Sequence, residues 1–376
     1  MRVALVHDWL VTYSGAERIL EGLVKIYPDA DIFSLVDFLA PEQRNFIKDK
    51  PVKTSFIQKL PFAKSHFRWY FALFPVAIQS FDLSAYDLIV SVSFSVAKGV
   101  MTDPDQLHIC ISCSPVRYAW DLQEQYLREH GYARGIRSFI MRNVLLFIRM
   151  WDVSSAFAVD EYVAISCFVG RRIRKYYGRE STVIYPPVAT GRFTLRKDKE
   201  EFYLTASRQV PYKRFDLIVD AFRSTPERKL VVIGDGPEHG YVRDLAKDAP
   251  NIKILGCQSS ENLRDYMQRA RAFVFAAKED FGIVVLEAQA CGTPVVALGQ
   301  GGARETVLDG KTGILFPDQT VASLREALVR FEQLEFDPEE CRAHALLFSE
   351  QHFQTAFSAF VDGAVVRWKE RNVISE

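Results

Sequence analysis

Ala277-Lys-Glu-Asp-Phe-Gly-Ile-Val-Val-Leu-Glu-Ala-Gln-Ala-Cys-Gly-Thr-Pro294 is the stretch on which the fold turns. Before it, the apolar run 272–276 reads as a strand buried on both faces. Glu279, Asp280, Phe281 and Gly282 follow. From about Gly282, the residues Ile283, Val284, Leu286, Glu287, Ala288 and Ala290 read as a helix that Gly292 and Pro294 stop. A second apolar run, 295–298, comes at once. Strand, turn, helix and strand in this order open a helix N-terminus at the carboxyl edge of a sheet, where open α/β folds bind ligands. The free backbone N–H groups there favour an anion. Glu279 stands before the helix and Glu287 two turns further on, so both carboxylates can face one crevice at different depths. That suits a ligand with hydroxyls in two places and a phosphate between them. Taken singly, each glutamate reads as a solvated or capping residue.

Upstream, a strand over 202–206 runs into Ser207, Arg208, Gln209, Val210, Pro211, Tyr212 and Lys213, and then a helix over 217–222. A guanidinium and an ammonium at the carboxyl end of a strand and the start of a helix are what a diphosphate leaving group needs. Individually each is a surface cation by default. A strand over 229–233 leads into Gly234, Asp235, Gly236 and Pro237, a glycine pair suited to close backbone approach, with a helix from Tyr241. Downstream, 299–305 is a glycine-rich loop, 313–317 a last short strand, and 321–332 and 349–369 are helices.

Glu279, seven residues and Glu287, with Phe281-Gly282 after the acid pair and Gly-Thr-Pro-Val at the end, closely resemble the donor-site signature of family 4 of the retaining glycosyltransferases. The resemblance covers nearly the whole chain and is strongest over 206–317. It implies the α/β GT-B fold, two Rossmann-like domains facing each other across a cleft, with the C-terminal helix returning to the first. The expected parts are an acceptor-binding domain over 1–190, a nucleotide-sugar domain over 191–350 and a returning helix over 351–376. The charged run 196–201 reads as the linker. The resemblance implies that Glu279 contacts the donor sugar hydroxyls and Glu287 the nucleotide ribose. It implies that Arg208 and Lys213 grip the diphosphate, helped by backbone N–H groups at Phe281, Gly282 and Ile283. Gly236 and Pro237 join the donor-binding candidates. So does Gly15, in a loop after the first strand where relatives commonly carry Gly-Gly and this chain has Gly15-Ala16.

In the first half, a strand over 108–112 precedes Ser114, Pro115, Val116, Arg117, Tyr118, Ala119, Trp120 and Asp121. Relatives often have His two residues before the Pro; here Cys113 stands there. Arg117, Tyr118, Trp120 and Asp121 are candidates for the acceptor side, with packing at a loop as the alternative. His7 and His108 are read as held by backbone at strand ends. Two segments interleave cations with aromatics. One spans 44–80, with Lys59, Lys64 and Arg68 among Phe62, Phe67, Trp69 and Phe74. The other spans 134–151, with Arg134, Arg137, Arg142 and Arg149 among Phe139, Ile140, Leu146 and Phe147. Such segments suit anionic lipid; the alternative puts the aromatics in the core and the cations in solvent.

Composition bounds the rest. A chain of 376 residues with 48% hydrophobic and 25% charged residues is an ordinary globular protein of two domains. Net charge is zero, and no nucleic-acid reading motif accompanies the cations. Six scattered cysteines fit a reducing cytoplasm; Cys110 and Cys113 form a CxxC without a second ligand pair and read as small residues at a strand end. Met1 leads into a strand rather than a signal peptide, and no window reaches the length of a spanning helix. The expected location is cytoplasmic, at the periphery of the inner membrane.

Glu279–Ile283 and Gly301–Val307 look most like bacterial mannosyltransferases of surface-polysaccharide assembly. GDP-mannose is therefore the expected donor. The expected acceptor is a polyprenyl-diphosphate-linked saccharide of O-antigen, capsule or exopolysaccharide. No metal cofactor is expected, since the protein's cations can carry the leaving group's charge. No general base is evident; the family resemblance allows a same-face route in which the leaving phosphate takes the acceptor proton. The alternatives are another nucleotide sugar such as UDP-glucose on a soluble acceptor, a different enzyme on the same fold (a sugar-phosphate synthase or an epimerase), and a non-catalytic glycan- or lipid-binding protein.

Overall fold

The computed structural model describes residues 1–129 and 131–373. The chain divides into two compact units, one made of Met1–Pro187 with the segment from Phe353 onward, the other of Val188–His352.

The first unit begins with β1 (Val3–His7), α1 (Gly15–Ile26), β2 (Asp31–Ser34) and β3 (Val52–Thr54). Short helices α2 (Ala63–His66) and α3 (Phe74–Gln79) flank a 3-10 segment over Phe67–Leu73. Then come β4 (Leu88–Ser93), β5 (Leu107–Ser112), α4 (Gln123–Glu129), α5 (Gly135–Ala156), β6 (Glu161–Ala164), α6 (Cys167–Tyr177) and β7 (Thr182–Val183). The strands form one parallel sheet in the order β3-β2-β1-β4-β5-β6-β7. Its centre, β1, β4 and β5, is buried along its whole length, which is why these strands are mostly apolar, with only small or hydrogen-bonded polar residues such as Ser91 and His108 among them. Helix α1 starts at Gly15, one residue earlier than its apolar spacing implies. The Glu17 carboxylate accepts from the Ser14 backbone N–H (3.0 Å) and hydroxyl (2.8 Å), fixing the turn. Helix α6 is capped by Ser166, whose hydroxyl accepts from the Val169 N–H at 3.1 Å.

The second unit runs β8 (Glu200–Ala206), α7 (Phe215–Arg223), β9 (Leu230–Ile233), α8 (His239–Leu245), β10 (Ile252–Ile254) and α9 (Ser260–Arg269). It continues with β11 (Ala270–Phe275), α10 (Ile283–Ala290), β12 (Val295–Leu298), α11 (Ala303–Thr306), β13 (Gly313–Phe316), α12 (Val321–Glu332) and α13 (Pro338–Leu346). Its sheet is parallel, in the order β10-β9-β8-β11-β12-β13. This is the doubly wound order, and its switch point lies between β8 and β11. The charged run 196–201 is no free linker. Glu200 and Glu201 already lie in β8, and the half-buried Lys199 ammonium donates to the Gln268 carbonyl (2.9 Å), the Cys291 carbonyl (3.1 Å) and the Thr293 hydroxyl (2.8 Å). Desolvation pushes its pKa down to about 8.

Helix α14 (Glu350–Val373) closes the chain. Phe353, Phe357, Val361 and Ala364 form its buried stripe in the first unit. The Phe353 ring lies so close to Gly22 of α1 that a Cβ there would sit 2.7 Å from it. Arg367 and Arg371 reach Glu161 at 3.4 Å. At the junction, the Val188 N–H donates to the Phe348 carbonyl at 2.9 Å, which ties Val188 to the second unit. Among the described residues, no helix is long and apolar enough to cross a membrane.

Candidate functional site

Three loops meet at the carboxyl edge of the second unit's sheet, beside its switch point: 207–214 after β8, 276–282 after β11 and 299–302 after β12. The first two bring together residues sixty-six positions apart. Lys213 and Glu279 form a direct ion pair, with side chains 12% and 16% exposed. The Lys213 ammonium also lies 5.7 Å from the Phe275 ring centre and 5.4 Å from that of Tyr212. Arg208 stands on the same loop, exposed and without an ion pair among the described residues. The neighbouring Arg214 is engaged elsewhere, bonded to Asp216 at 3.0 Å and to Gln319 at 3.1 Å. Spacing alone does not separate it from Lys213; its partners do.

Gly282 is the N-cap of α10 in the left-handed region, φ +88°, a conformation that glycine takes without a Cβ penalty. It turns the chain so that Ile283 begins the helix; the Val285 N–H donates to the Gly282 carbonyl at 3.0 Å, and Ile283 and Val284 have no preceding helical carbonyl to bond. The other end of α10 meets cations. The Arg342 guanidinium donates to the Ala290 carbonyl at 2.5 Å, and Lys199 to that of Cys291. Positive charge at the C-terminal end satisfies the dipole there and leaves the N-terminal end as the electropositive one. Glu287, 5% exposed, lies on this helix. Phe281 is buried, its ring 5.9 Å from that of Phe348.

The glycine-rich loop after β12 locks this turn. The Gly302 N–H donates to the Glu279 carbonyl at 2.8 Å, and a Cβ on Gly302 would fall 2.3 Å from Phe281 Cα. A Cβ on Gly301 would fall 2.2 Å from the Glu279 carbonyl oxygen. Gly236 makes a comparable approach, but to protein: a Cβ there would lie 2.4 Å from the Gln209 carbonyl oxygen. Its φ of +156° is also one that L side chains rarely adopt. The glycine pair after β9 therefore seats the 207–210 loop, and Pro237 beside it is exposed.

In the first unit, the sequence candidates sit on the loops after β1 and β5. Gly15 is exposed at the first turn of α1. Arg117 is half-buried. The Tyr118 hydroxyl lies 3.2 Å from that of Ser95, and burial pushes the phenol pKa upward. Trp120 donates its indole N–H to Asp152 at 2.7 Å and stacks on Tyr176, with centroids 4.5 Å apart. Asp121 pairs with Arg172 at 2.5 Å. The polar atoms of Trp120 and Asp121 are thus committed to holding their own loop. Cys113 is half-buried and Cys110 buried, its thiol pushed up to about 12. His7 Nδ1 is 3.0 Å from the Trp9 carbonyl, while His108 meets Ser91 at 2.8 Å and burial lowers it to about 4.

Two buried carboxylates escaped sequence reasoning. Asp8 accepts four backbone N–H groups, from Phe94 (2.6 Å), Ser95 (2.8 Å), Val96 (2.6 Å) and Ala97 (2.7 Å). It fixes the loop after β4, and burial raises its pKa against those bonds. Asp152 accepts from the buried Lys98 ammonium (2.9 Å), Trp120 and the Tyr177 hydroxyl (3.0 and 3.1 Å). Partners 25 to 54 residues away in sequence gave no local signal for it. Among the described residues, no group of three His, Cys, Asp or Glu side chains is placed to hold a metal ion.

Residues 190–346 match the model of the glycosyl transferases group 1. A GDP-mannose-dependent monoacylated alpha-(1-6)-phosphatidylinositol monomannoside mannosyltransferase of Corynebacterium glutamicum is 32% identical over 200 residues, 46% of this chain and 52% of that protein. A D-inositol 3-phosphate glycosyltransferase of Gordonia bronchialis is 31% identical over 208 residues, 50% of this chain and 45% of that one. The chain spans about half the length of these curated relatives. In backbone it resembles a lipopolysaccharide outer core galactosyltransferase (TM-score 0.69, 15% identity, 98% of this chain and 99% of that one). It also resembles a sucrose-phosphate synthase from Thermosynechococcus elongatus (TM-score 0.71, 17% identity, 98% and 100%). At such identity the likeness bears on the fold, which is GT-B, with two parallel-sheet Rossmann-like units.

Proposed function

We infer, from the match of residues 190–346 to the glycosyl transferases group 1 model, that the protein moves a sugar from a nucleotide-sugar donor to a lipid-linked saccharide. Its donor is GDP-mannose and its acceptor a polyprenyl-diphosphate-linked glycan of O-antigen, capsule or exopolysaccharide, met at the inner face of the cytoplasmic membrane. The observation that carries the reading is the Lys213–Glu279 pair at the start of α10, with Arg208 exposed beside it.

The chemistry follows from charge. Breaking the glycosidic bond to a diphosphate develops negative charge on the leaving oxygen. Arg208, Lys213 and the N-terminal end of α10 are the groups that stabilise it. Those cations carry the leaving group's charge without a metal. Glu279, freed from part of its contact with Lys213 as the diphosphate takes that ammonium, turns to the sugar hydroxyls. Glu287 takes the ribose. The sugar keeps its anomeric configuration, with the leaving phosphate accepting the proton of the attacking hydroxyl. Arg117, Tyr118, Trp120 and Asp121 belong to the acceptor side, Trp120 and Asp121 by shaping the loop and Arg117 and Tyr118 by contact.

GDP-mannose is favoured because the Corynebacterium relative is named for its dependence on it. A lipid-linked acceptor is favoured by Phe62, Trp69 and the outer side chains of α5, which stand exposed among cations. The test is thermal protection by a panel of nucleotide sugars, followed by transfer assays with the best ligand. GDP-mannose is expected to raise the melting temperature most. Protection by UDP-sugars alone would overturn the donor, and protection by none would overturn the reading.

A further inference from the structure

Helix α5 is built inside out. Its outer face carries Ile136, Phe139, Ile140, Leu146, Phe147 and Met150, each between 47% and 72% exposed. These positions follow the helical repeat along a 22-residue helix, about 33 Å long at 1.5 Å per residue. Its inner face holds Leu145 and Ile148 but also the polar Ser138, Asp152 and Ser155, all buried. A helix of a globular unit ordinarily turns its apolar stripe inward, and an exposed apolar strip of this length marks an interaction surface.

The inner face is bonded to the acceptor-side loop at three levels. Arg142 holds Glu124 at 2.7 and 3.0 Å. Arg149 donates to the Ala119 carbonyl at 2.9 Å and to the Gln123 side chain. Asp152 accepts from Trp120 at 2.7 Å while gripping Lys98 and Tyr177. The segment 117–124, which includes the first turn of α4, is therefore tied to α5 through Ala119, Trp120, Gln123 and Glu124.

We propose that α5 docks on an anionic phospholipid bilayer by its outer face and that docking tightens the 117–124 loop through Asp152. Charge selects the occupant. Arg134 and Arg137 are exposed at the start of the helix, and the one acid between Glu129 and Asp160 is the buried Asp152. A second copy of this face would offer those arginines no counter-charge, because the one acid of the helix is buried, whereas lipid phosphates supply one. The segment 59–76 extends the surface. Its Phe62 and Trp69 are 74% and 68% exposed beside Lys59 and Lys64, and its Phe71 packs on the same small core as Leu145 and Ile148. This rests on the proposed transfer reaction only in giving the 117–124 loop to the acceptor.

The test uses the whole chain and no nucleotide, so its outcome is separate from that of donor binding. Flotation is measured with vesicles of pure phosphatidylglycerol and of pure phosphatidylcholine, and amide hydrogen exchange is followed with and without the phosphatidylglycerol vesicles. The protein is expected to float with phosphatidylglycerol and not with phosphatidylcholine, and a double F139S/F147S variant to lose flotation. In the bound wild type, exchange over 117–124 is expected to slow about tenfold or more. D152N, and W120F as the milder variant should D152N fail to fold, should still float but lose that slowing. Flotation unchanged in F139S/F147S, or self-association through this face without vesicle binding, overturns the surface. Unchanged exchange in the bound wild type, or full slowing in W120F, overturns the coupling.

Discussion

Lys213 and Glu279 reach each other from loops on the two sides of the switch point, one after β8 and one after β11, and each neutralises the other. Removing either leaves its partner as a single charge in a mostly enclosed place. If the proposed reaction holds, K213A and E279A each lower turnover by about 10² or more, with the circular dichroism spectrum unchanged. K213A should weaken donor binding more, because it leaves a lone carboxylate facing a diphosphate. The double variant should lose less than the product of the two single losses, because the residues act on one another. Turnover at the wild-type rate in either single variant removes that residue from the mechanism.

Arg208 differs in being exposed and without an ion pair among the described residues. R208A should therefore leave the melting temperature unchanged and weaken nucleotide diphosphate binding by roughly ten- to a hundredfold, the worth of a charge-assisted hydrogen bond. Titration calorimetry with GDP at two salt concentrations checks it. The wild type should lose affinity with salt more steeply than the variant. A chelator should leave transfer unaffected if the protein's own cations carry the charge.

His108 gives a dependence on acid. Burial lowers its pKa to about 4 from 6.5. Between those values the unfolded chain binds the proton and the folded one does not, so stability rises with pH across this window. The contribution is whole above about pH 6.5, drains away as pH falls toward 4, and amounts to roughly 3 kcal/mol. Asp8, raised by burial, works in the opposite sense, so the measurement is the difference between wild type and H108Q. Denaturant melts from pH 4 to 7 should show a shallower pH slope for H108Q. Equal slopes would mean that His108 does not titrate in this way.

Gly302 supports the 279–282 turn by its lack of a side chain. G302A puts a Cβ 2.3 Å from Phe281 Cα and 2.6 Å from the Phe281 carbonyl oxygen. Backbone must shift, at a cost of about 1–3 kcal/mol. Nucleotide affinity should fall with stability, since the shift falls on the residues that open α10. A variant as stable as wild type that binds nucleotide normally would show that the turn can slide without consequence.

The part of the fold around α10 was legible because its punctuation is local. Gly282 supplies the left-handed cap, Pro294 ends the helix run, and the flanking runs 272–276 and 295–298 are apolar throughout. The expectation for Arg208, Lys213 and Glu279 came from a sequence pattern; that Lys213 and Glu279 touch required the fold. Asp8 and Asp152 were not legible, because an acid after a strand or within a helix reads as solvated. Their partners lie 86 to 89 and 25 to 54 residues away. Helix α5 shows its period in sequence but not its facing. The usual assignment of apolar side chains to the core fails there, because Arg142, Arg149 and Asp152 spend their polar atoms on a neighbouring loop.

The closing stripe of α14, Phe353 against Gly22 and Phe357 beneath it, gives the chain an order of assembly. On the ribosome, the segment 188–352 is complete as soon as it has emerged, whereas the unit that begins at Met1 waits for residues beyond Phe353. The amino-terminal unit is synthesised before the other and completed after it, because the ring that covers Gly22 of α1 arrives only with Phe353.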